Sequence, residues 1–423
     1  MNMVEPIEFL RSLFDVAVAA VDPAIHLPRY LPSPPKGRTL LLAAGKAAAS
    51  MAAATEKHWP GEITGLAVTR YGHGCHCDKI EVVEAGHPLP DRAGLFAANR
   101  FLSLASDLSE DDLLLFLVSG GSSALLVHPE NGLTLKQKRA INVDLLNSGA
   151  PIEEMNCVRK HLSRIKGGRL AAAAHPARTV TLAVSDVPDD DPAVIGSGPT
   201  VGDPTSCGDA LAIAERRGIC LPAAVRRALD NREWESIAPN SELLKKTSYH
   251  LIARPANALK AAADSAKKSG IKPTLLGDNL RGEARVLAGD HAWKALQENS
   301  GVLISGGETT VTVSKNSGRG GRNCEFLLAL ALELRGAPGI YAIACDTDGL
   351  DGTEDAAGAI IGPDTLLRAN TAGLDASGML RDNDSYTFFA TLGDLVFTGP
   401  TRTNVNDFRA ILISGSDPGQ PVL

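Results

Sequence analysis

The sequence predicts an α/β protein in two regions, the first with a mostly parallel sheet covered by helices on both faces. Short, continuously apolar runs at 39–45, 112–121 and 178–186 indicate fully buried strands. Segments with helical spacing of their apolar residues separate these runs along the chain. Strands joined by helical crossovers lie parallel to one another, so this alternation favours a sheet buried between two layers of helices.

The remaining elements follow in chain order. Acidic residues, and apolar residues at helical spacing, indicate that 1–23 is an amphipathic helix rather than a signal peptide. The polar stretch 231–247 is the predicted linker. Beyond it, 301–314 is predicted to form two β runs about a Gly-Gly turn, which makes the second sheet mixed. Further helices are expected at 46–58, 91–108, 134–147, 151–174 and 205–229 before the linker, and at 256–269, 281–298 and 323–335 after it.

The composition is that of an ordinary soluble globular protein, with 44% apolar and 22% charged residues. A net charge of -7 argues against binding to nucleic acid or to an anionic membrane, because both partners select basic surfaces. No apolar run approaches the length that spans a bilayer. The 7 cysteines are scattered and odd in number, which favours reduced thiols in a cytoplasmic protein over a disulfide framework.

Two glycine-containing turns follow apolar strands in the first region. Lys46 stands where the run 39–45 gives way to a helix, and a cation at that end opposes the helix dipole unless an anion shares the place. The turn 119–123 has two glycines whose amides can approach a ligand and serines that can cap a helix. Ligands bind beside the carboxyl ends of parallel strands, so both turns are candidate phosphate sites. A solvated lysine and an ordinary capped turn are the alternatives.

Acidic residues follow a further apolar strand of the first region. Asp186 ends the run 178–186 and opens a loop, broken by prolines and glycines, that also carries Asp189. Carboxylates crowded in one loop repel one another unless a cation compensates, so the loop is a candidate magnesium site. The alternative is a solvated acidic surface loop.

A second acidic stretch, 344–358, raises the question of a calcium loop. A calcium loop of the EF-hand type needs glycine at its sixth position and glutamate at its twelfth, and Asp351 and Ala357 stand there instead. Asp346 and Asp348 come directly off an apolar strand and are predicted to line the active site. Asp351 and the acids after it are expected in a polar, solvated turn.

Basic residues stand in two further places. Arg319 and Arg322 lie in a glycine-rich loop before a strongly apolar helix, again against the dipole preference. Planar arginine suits a bidentate grip on a carboxylate or phosphate, so an anionic substrate would explain this loop as well as Lys46. A basic segment with an apolar face is expected on a solvated surface unless it lines the phosphate site. Its cations are Arg159, Lys160, Arg164, Lys166 and Arg169.

A series of motifs extends over nearly the whole chain, from about residue 8 to 413. In order, they include AAGKAAASM, LLLFLVSGGSSALL, NCVRKHLSRIKGGRLA, SDVPDDDPAVIGSGPT, ISGGETTVTV, GRGGRNCEFLLALAL, ACDTDGLDGTEDAAGA and TGPTRTNVNDF. Together they resemble the glycerate 2-kinases, the class II glycerate kinases of the MOFRL type, whose bacterial members often carry the name hydroxypyruvate reductase.

The resemblance implies a Rossmann-like N-terminal domain at 1–235, a smaller α/β domain with a mixed sheet at 248–400, and an active-site cleft between them. Residues 400–423 are expected to pack back near the first domain. It also implies a cytoplasmic enzyme that uses ATP and Mg2+ to convert D-glycerate to 2-phospho-D-glycerate, with glycerate and ATP as its partners and a homodimer as one option.

The resemblance also assigns site residues. Lys46 and Arg322 occupy the places of the family's lysine and arginine. Arg322 is expected to grip the glycerate carboxylate and Lys46 to neutralise the transferring phosphoryl group. Asp186 or Asp189 is expected to act as the base or to hold magnesium. Further substrate-binding or nucleotide-binding residues are expected at Ser119, Gly120, Gly121, Ser122, Ser123, Ser197, Thr200, Glu308, Asp346, Asp348, Thr403, Asn404 and Asn406.

Two other functions fit part of the pattern. An NAD(P)H-dependent hydroxypyruvate reductase of tartrate or glyoxylate metabolism would use the same arginine, but the G-x-G-x-x-G dinucleotide motif is absent. A non-catalytic sensor of sugar acids would bind a ligand without turnover, and it leaves the acidic loops unexplained.

Overall fold

The computed structural model describes residues 5–313 and 317–415. The chain divides into two compact units, one formed by residues 23–253 and the other by the residues before 23 together with those after 253. Each unit is built on one six-stranded sheet. The predicted α/β class, with a parallel sheet and a mixed sheet, is confirmed. None of the described helices is long and apolar enough to cross a membrane.

The helices lie close to their predicted positions, with two differences. The helix expected at 151–174 ends at His161 and resumes only at Arg169, after Gly167 and Gly168, and the one expected at 205–229 is broken near Gly218. In chain order the α-helices are α1 Pro6–Ala19, α2 Pro23–His26, α3 Ala48–His58, α4 Arg92–Ser106, α5 Ser122–Leu125, α6 Leu135–Asn147, α7 Ile152–His161, α8 Arg169–Ala174, α9 Cys207–Arg216, α10 Ala223–Asp230, α11 Pro255–Lys268, α12 Ala284–Gln297, α13 Arg322–Leu334, α14 Thr365–Thr371, α15 Ala376–Arg381 and α16 Ser385–Leu392.

The sheet of the first unit is entirely parallel. Its strands are β1 Thr39–Ala44, β2 Ile63–Arg70, β3 Ile80–Ala85, β4 Leu113–Val118, β5 Arg178–Val184 and β6 Thr247–Ala253. They lie in the order β3-β2-β1-β4-β5-β6. All residues of the central strands β1 and β4 are buried, as expected where helices cover both faces. In this doubly wound order, successive strands are added toward one edge from β1 to β3 and toward the other edge from β4 to β6. This reversal creates a crevice at the carboxyl ends of β1 and β4.

The sheet of the second unit is mixed. Its strands are β7 Pro273–Glu283, β8 Gly301–Thr310, β9 Ile340–Asp346, β10 Gly358–Ile361, β11 Leu395–Val396 and β12 Asp407–Ile413. They lie in the order β11-β10-β9-β12-β8-β7. Only the β7–β8 pair is parallel among the pairings of this sheet.

The predicted hairpin at 301–314 is wrong. Gly306 and Gly307 do not turn the chain but lie inside the single strand β8. A Cβ on Gly307 would come within 2.2 Å of the Leu280 carbonyl oxygen, and its φ is 115°. The glycine therefore serves the close approach of β7 instead of a turn.

Three segments lie elsewhere than the sequence placed them. The helix α1 belongs to the second unit, because its apolar face is buried there and Phe14 meets Phe408 with ring centroids 5.9 Å apart. The strand β6 is the edge of the first sheet, paired with β5, so the boundary falls after Ala253. The strand β12 is inserted between β8 and β9, although the tail was expected near the N-terminal domain. Residues 416–423 of that tail lie outside the described residues.

Candidate active site

The two turns at the reversal point of the first sheet are in contact. The Lys46 amide donates to the Gly120 carbonyl oxygen at 2.8 Å, and the Ala47 amide donates to Ser119 Oγ at 3.0 Å. Gly45 makes this approach possible, because a Cβ there would lie 2.2 Å from Ser119 Oγ and its φ is 132°. The structure thus brings Lys46 and the turn 119–123 together at the place where doubly wound folds bind ligands.

Lys46 is half-buried, and its side chain lies against Gly121 beside the ring of His87. It stands in the turn that precedes α3, which begins at Ala48, and not in the first turn of that helix. From the neighbouring strand β2, Thr69 Oγ1 donates to the Lys46 carbonyl oxygen at 3.2 Å. The ammonium group is therefore carried by a turn that two neighbouring strands hold in place.

The serines after β4 contact the loop that follows β5. Ser123 Oγ lies 2.9 Å from Ser197 Oγ, which in turn donates to Asn156 Oδ1 at 3.2 Å. Ser122 Oγ is buried and has no hydrogen-bond partner among the described residues. Thr200 is different, because its hydroxyl pairs at 2.7 Å with Thr181 inside β5. Ser123 and Ser197 are thus brought together, while Thr200 makes a structural contact.

The acidic loop after β5 concentrates negative charge. Asp186 is half-buried and Asp189 is exposed. Burial, followed by the negative charges of Asp191 and Asp186, raises the pKa of Tyr249 on the adjacent strand β6. A loop of this kind attracts a divalent cation.

A magnesium ion in this loop would need ligands from outside the protein. Within the described part of the chain, the one group of three or more metal-binding side chains whose ligand atoms lie within 4.8 Å of one another is His161, Cys207 and Glu235, and it includes neither Asp186 nor Asp189. Mg2+ commonly takes one or two carboxylates and completes its shell with water and phosphate oxygens. The loop suits that mode of binding.

In the second unit, Arg322 begins α13 and each of its guanidinium nitrogens donates to a carboxylate. Nε donates to Asp407 Oδ1 at 2.7 Å, Nη1 to Glu308 Oε1 at 2.9 Å and Nη2 to Asp346 Oδ2 at 2.6 Å. Burial opposes the charge, but these carboxylates raise the pKa of Arg322. The three carboxylates of the protein therefore compensate the charge of Arg322, for which the sequence suggested an anionic substrate alone.

Arg322 nevertheless keeps donors for a ligand. A guanidinium carries five N–H donors, so one on Nη1 and one on Nη2 remain after the three contacts. Its side chain is 19% exposed, which leaves part of the group accessible.

Arg409 fixes the position of Asp407. This arginine is fully buried, its Nη2 donates to Asp407 Oδ2 and lies 3.3 Å from Thr309 Oγ1, and its guanidinium lies 5.2 Å from the ring centroid of Phe326. Sequence reasoning missed Arg409, because an arginine in a strand usually marks the exposed face. The one available signal was its place inside the otherwise apolar run that follows Asp407.

Asp351 caps the helix that Arg322 begins. Its Oδ1 accepts from the Asn323 amide and its Oδ2 from the Cys324 amide, both at 2.9 Å. Asp351 is 1% exposed, and burial raises its pKa. The expectation that Asp351 lies in a solvated turn is wrong, since it satisfies the helix amides and adds negative charge where Arg322 opposes the dipole. Asp346 and Asp348, the site residues predicted a few positions before Asp351, are also buried. The Asp348 amide donates to Asp346 Oδ1 at 3.0 Å.

The C-terminal motif is buried and largely structural. Thr403 Oγ1 donates to the Val21 carbonyl oxygen at 2.9 Å, which fastens the segment after α1 to this motif. The Asn406 carbonyl oxygen accepts from the Thr347 amide at 3.0 Å and from its hydroxyl at 2.6 Å. These contacts place the neighbouring Asp407 beside Arg322. Asn404 is also buried.

The basic segment 159–169 is not a solvated face. Lys160 pairs with Asp203 at 3.4 Å, Arg169 donates to the Trp234 and Glu235 carbonyl oxygens, and Lys166 is 1% exposed. Among the five cations named from the sequence, only Arg164 is exposed. The expectation is wrong because α7 ends at His161 and the following chain runs through the interior of the unit.

Comparisons with known proteins agree on one family. Residues 9–230 match a domain of unknown function (DUF4147), and residues 301–407 match the MOFRL family. The "D-glycerate 2-kinase" of Thermotoga maritima is 39% identical, over 94% of this chain and 96% of its own length. A "Putative hydroxypyruvate reductase" of Agrobacterium vitis is 50% identical, over 97% and 95%. The crystal structure of glycerate kinase from Thermotoga maritima superposes with a TM-score of 0.85 at 37% identity, over 96% of this chain and 99% of that one.

Proposed function

This chain belongs to the glycerate kinase family, and from that premise we propose that it transfers the terminal phosphoryl group of ATP to the 2-hydroxyl of D-glycerate. The product is 2-phospho-D-glycerate. The observation that supports this best is the contact of the Lys46 turn with the turn 119–123 at the reversal point of the first sheet. A lysine and a glycine-serine turn at that place suit a phosphate better than a nicotinamide dinucleotide.

The first unit handles the phosphates. Phosphoryl transfer depends on positioning and on neutralising charge rather than on covalent chemistry by the protein. Lys46 offsets the charge that develops on the transferring group, and the amides of the turn 119–123 hold phosphate oxygens. Ser122 Oγ, which is buried without a partner among the described residues, supplies a further donor at this turn.

The second unit handles the acid. Arg322 binds the glycerate carboxylate through the N–H donors that its own carboxylates leave unused. Asp346 and Glu308, which orient that guanidinium, also offer lone pairs to the hydroxyl groups of the substrate.

Magnesium fits the acidic loop of the first unit. When bound, Mg2+ would neutralise phosphate charge, and either Asp186 or Asp189 is the residue that would hold it. The aspartate that does not hold the ion accepts the proton of the 2-hydroxyl. The half-buried Asp186 and the exposed Asp189 can each take either part.

The proposal is tested by assaying the purified protein with D-glycerate, ATP and Mg2+, and in parallel with hydroxypyruvate and NADH. We expect ADP release, with 2-phospho-D-glycerate identified by phosphorus NMR. Lys46→Met is expected to lower kcat/KM by about a hundredfold or more, because it removes a charge from the phosphoryl-transfer site. The matched control is Lys57→Met, since Lys57 is exposed on α3, and it should leave the rate unchanged. Oxidation of NADH without ADP release would replace the kinase by the reductase that the Agrobacterium vitis name indicates.

A further inference from the structure

A cavity of about 150 Å³ in the first unit is lined by several cations, and none of the described residues that line it is acidic. It lies against Gly121 and Ser123 of the turn after β4. Lys138 and Arg139 of α6, Arg159 of α7, and Lys166 supply its charged wall. This volume is several times what one water molecule needs, so the cavity has room for a tetrahedral phosphate group.

Lys138 and Lys166 are buried, and no carboxylate among the described residues forms an ion pair with either of them. Lys138 Nζ donates to the Leu162 carbonyl oxygen at 2.7 Å and to that of Arg159 at 3.4 Å. Lys166 Nζ donates to the carbonyl oxygens of Ser123 at 3.0 Å and Gly196 at 3.3 Å. A protonated lysine has three donors, so each of these two keeps one for a ligand.

The charge of these groups is poorly compensated. Burial, and after it the positive charge of Arg159, lowers the pKa of Lys138 to about 7, while Glu130 acts in the opposite direction. Burial also lowers the pKa of Lys166, with Lys138 and Arg159 adding to the effect. If Lys138 and Lys166 only held loops together through hydrogen bonds, the positive charge of Arg159 beside them would serve no purpose. An anion in the cavity relieves this repulsion.

Two further groups in the wall lack protein partners. Among the described residues, no hydrogen bond or ion pair engages the guanidinium of Arg159, although burial lowers its pKa. Asn142 Oδ1 is buried in the same wall without a hydrogen-bond partner in the described part of the chain. An amide can turn its NH2 group toward an anion, since its two ends have the same shape.

We propose that this cavity binds a phosphate group, held by Arg159 and by the remaining donors of Lys138 and Lys166. The cavity adjoins the turn 119–123, so for a nucleotide or a phosphorylated acid the inference rests on the proposed function, to which it adds Arg159, Lys138 and Lys166. The group can come from a nucleotide, from a phosphorylated acid or from inorganic phosphate, and these sources share the dianionic oxygens that the cavity fits.

The test is isothermal titration of the full chain with inorganic phosphate, ADP and 2-phospho-D-glycerate, each against wild type, Arg159→Gln and Arg164→Gln. Arg159→Gln is expected to weaken binding of the true ligand by about tenfold to a hundredfold, since it removes a charged hydrogen-bond donor. Arg164→Gln is the control, because Arg164 is exposed in the same basic segment and does not line the cavity. The probe that Arg159→Gln binds more weakly than wild type does identifies the source of the phosphate group.

Equal affinities of wild type and Arg159→Gln for all three probes overturn the proposal, as does a wild type that binds none of them. An equal loss in Arg164→Gln also overturns it, because a general loss of positive charge then suffices. The rate with D-glycerate and ATP is measured on the same preparations. A wild type that turns over substrate while Arg159→Gln binds every probe normally refutes the cavity and leaves the kinase intact. A wild type that binds phosphate through Arg159 without turnover does the reverse.

Discussion

Replacing Lys138 by methionine should change stability in a manner that depends on pH. The ammonium group is buried, and its pKa is displaced from the usual 10.5 to about 7. That displacement corresponds to a cost of about 5 kcal/mol on the charged form. Methionine removes this cost, but it also leaves the Leu162 and Arg159 carbonyl oxygens without their donor, at about 1–3 kcal/mol for each buried group.

The pH dependence separates the two effects, because the lost hydrogen bonds cost the same at every pH. Between pH 7 and 10.5 the unfolded chain holds a proton on Lys138 that the folded chain has released, so the free energy of unfolding of the wild type rises with pH. Over pH 7 to 9 this rise amounts to about 2 kcal/mol. The advantage of Lys138→Met over wild type is therefore expected to shrink by that amount across the same interval.

Urea unfolding at pH 7, 8 and 9, in buffers free of phosphate, measures the effect. A Trp293→Phe background is useful, because the other two tryptophans, Trp59 and Trp234, both lie in the first unit with Lys138. Lys57→Met serves as the exposed control and should give a difference that does not vary with pH. A constant difference between Lys138→Met and wild type from pH 7 to 9 refutes the argument that burial has displaced this pKa.

Other perturbations test the candidate site residues of each unit. Arg322→Lys should lower kcat/KM for glycerate by about a hundredfold, since an ammonium group cannot bind three carboxylates in a fixed geometry. Glu308→Gln, which changes an exposed partner of Arg322, should lower kcat/KM by less than about fivefold. Equal losses of kcat/KM in the two variants would contradict this reasoning. Gly45→Ala should destabilise the protein to urea by more than about 2 kcal/mol because its Cβ meets Ser119, whereas Gly72→Ala, with nothing within 4 Å, should cost only about 1 kcal/mol of backbone strain. Asp351→Ala should speed hydrogen exchange at the first amides of α13 and cost about 1–3 kcal/mol; unchanged exchange would remove its role as a cap.

The parts of the fold that depend on local pattern were predictable. Apolar runs of strand length became β1, β4 and β5, and helical spacing placed most helices within a few residues of their ends. The segment 301–314 was not predictable in the same way, because a Gly-Gly pair suits a tight turn and a close approach equally. Only Leu280, far away in sequence, decides between them.

The candidate site shows the same limit. The rule that ligands bind at the carboxyl ends of parallel strands was enough to bring Lys46 and the turn 119–123 together. No local pattern reveals that Arg322 pairs with Asp407, which is 85 residues away in the sequence. Nor does a local pattern reveal that Arg409 donates to the other oxygen of the Asp407 carboxylate. The burial of Lys138 and Lys166 was not predictable for the same reason, since the local sequence around a basic residue does not show which distant segments pack over it.

The position of β12 in the second sheet has a consequence for biosynthesis. This strand lies between β8 and β9, yet among the described strands it is the last to be synthesised. Until it emerges, β8 and β9 each present an open edge, and open edges invite pairing with other chains. Arg322 also lacks its partner Asp407 until then, because Asp407 is the first residue of that strand. A nascent chain halted before β12 is therefore expected to be prone to aggregate and to lack the carboxylate that positions Arg322. Synthesis of this strand closes the sheet and places that arginine.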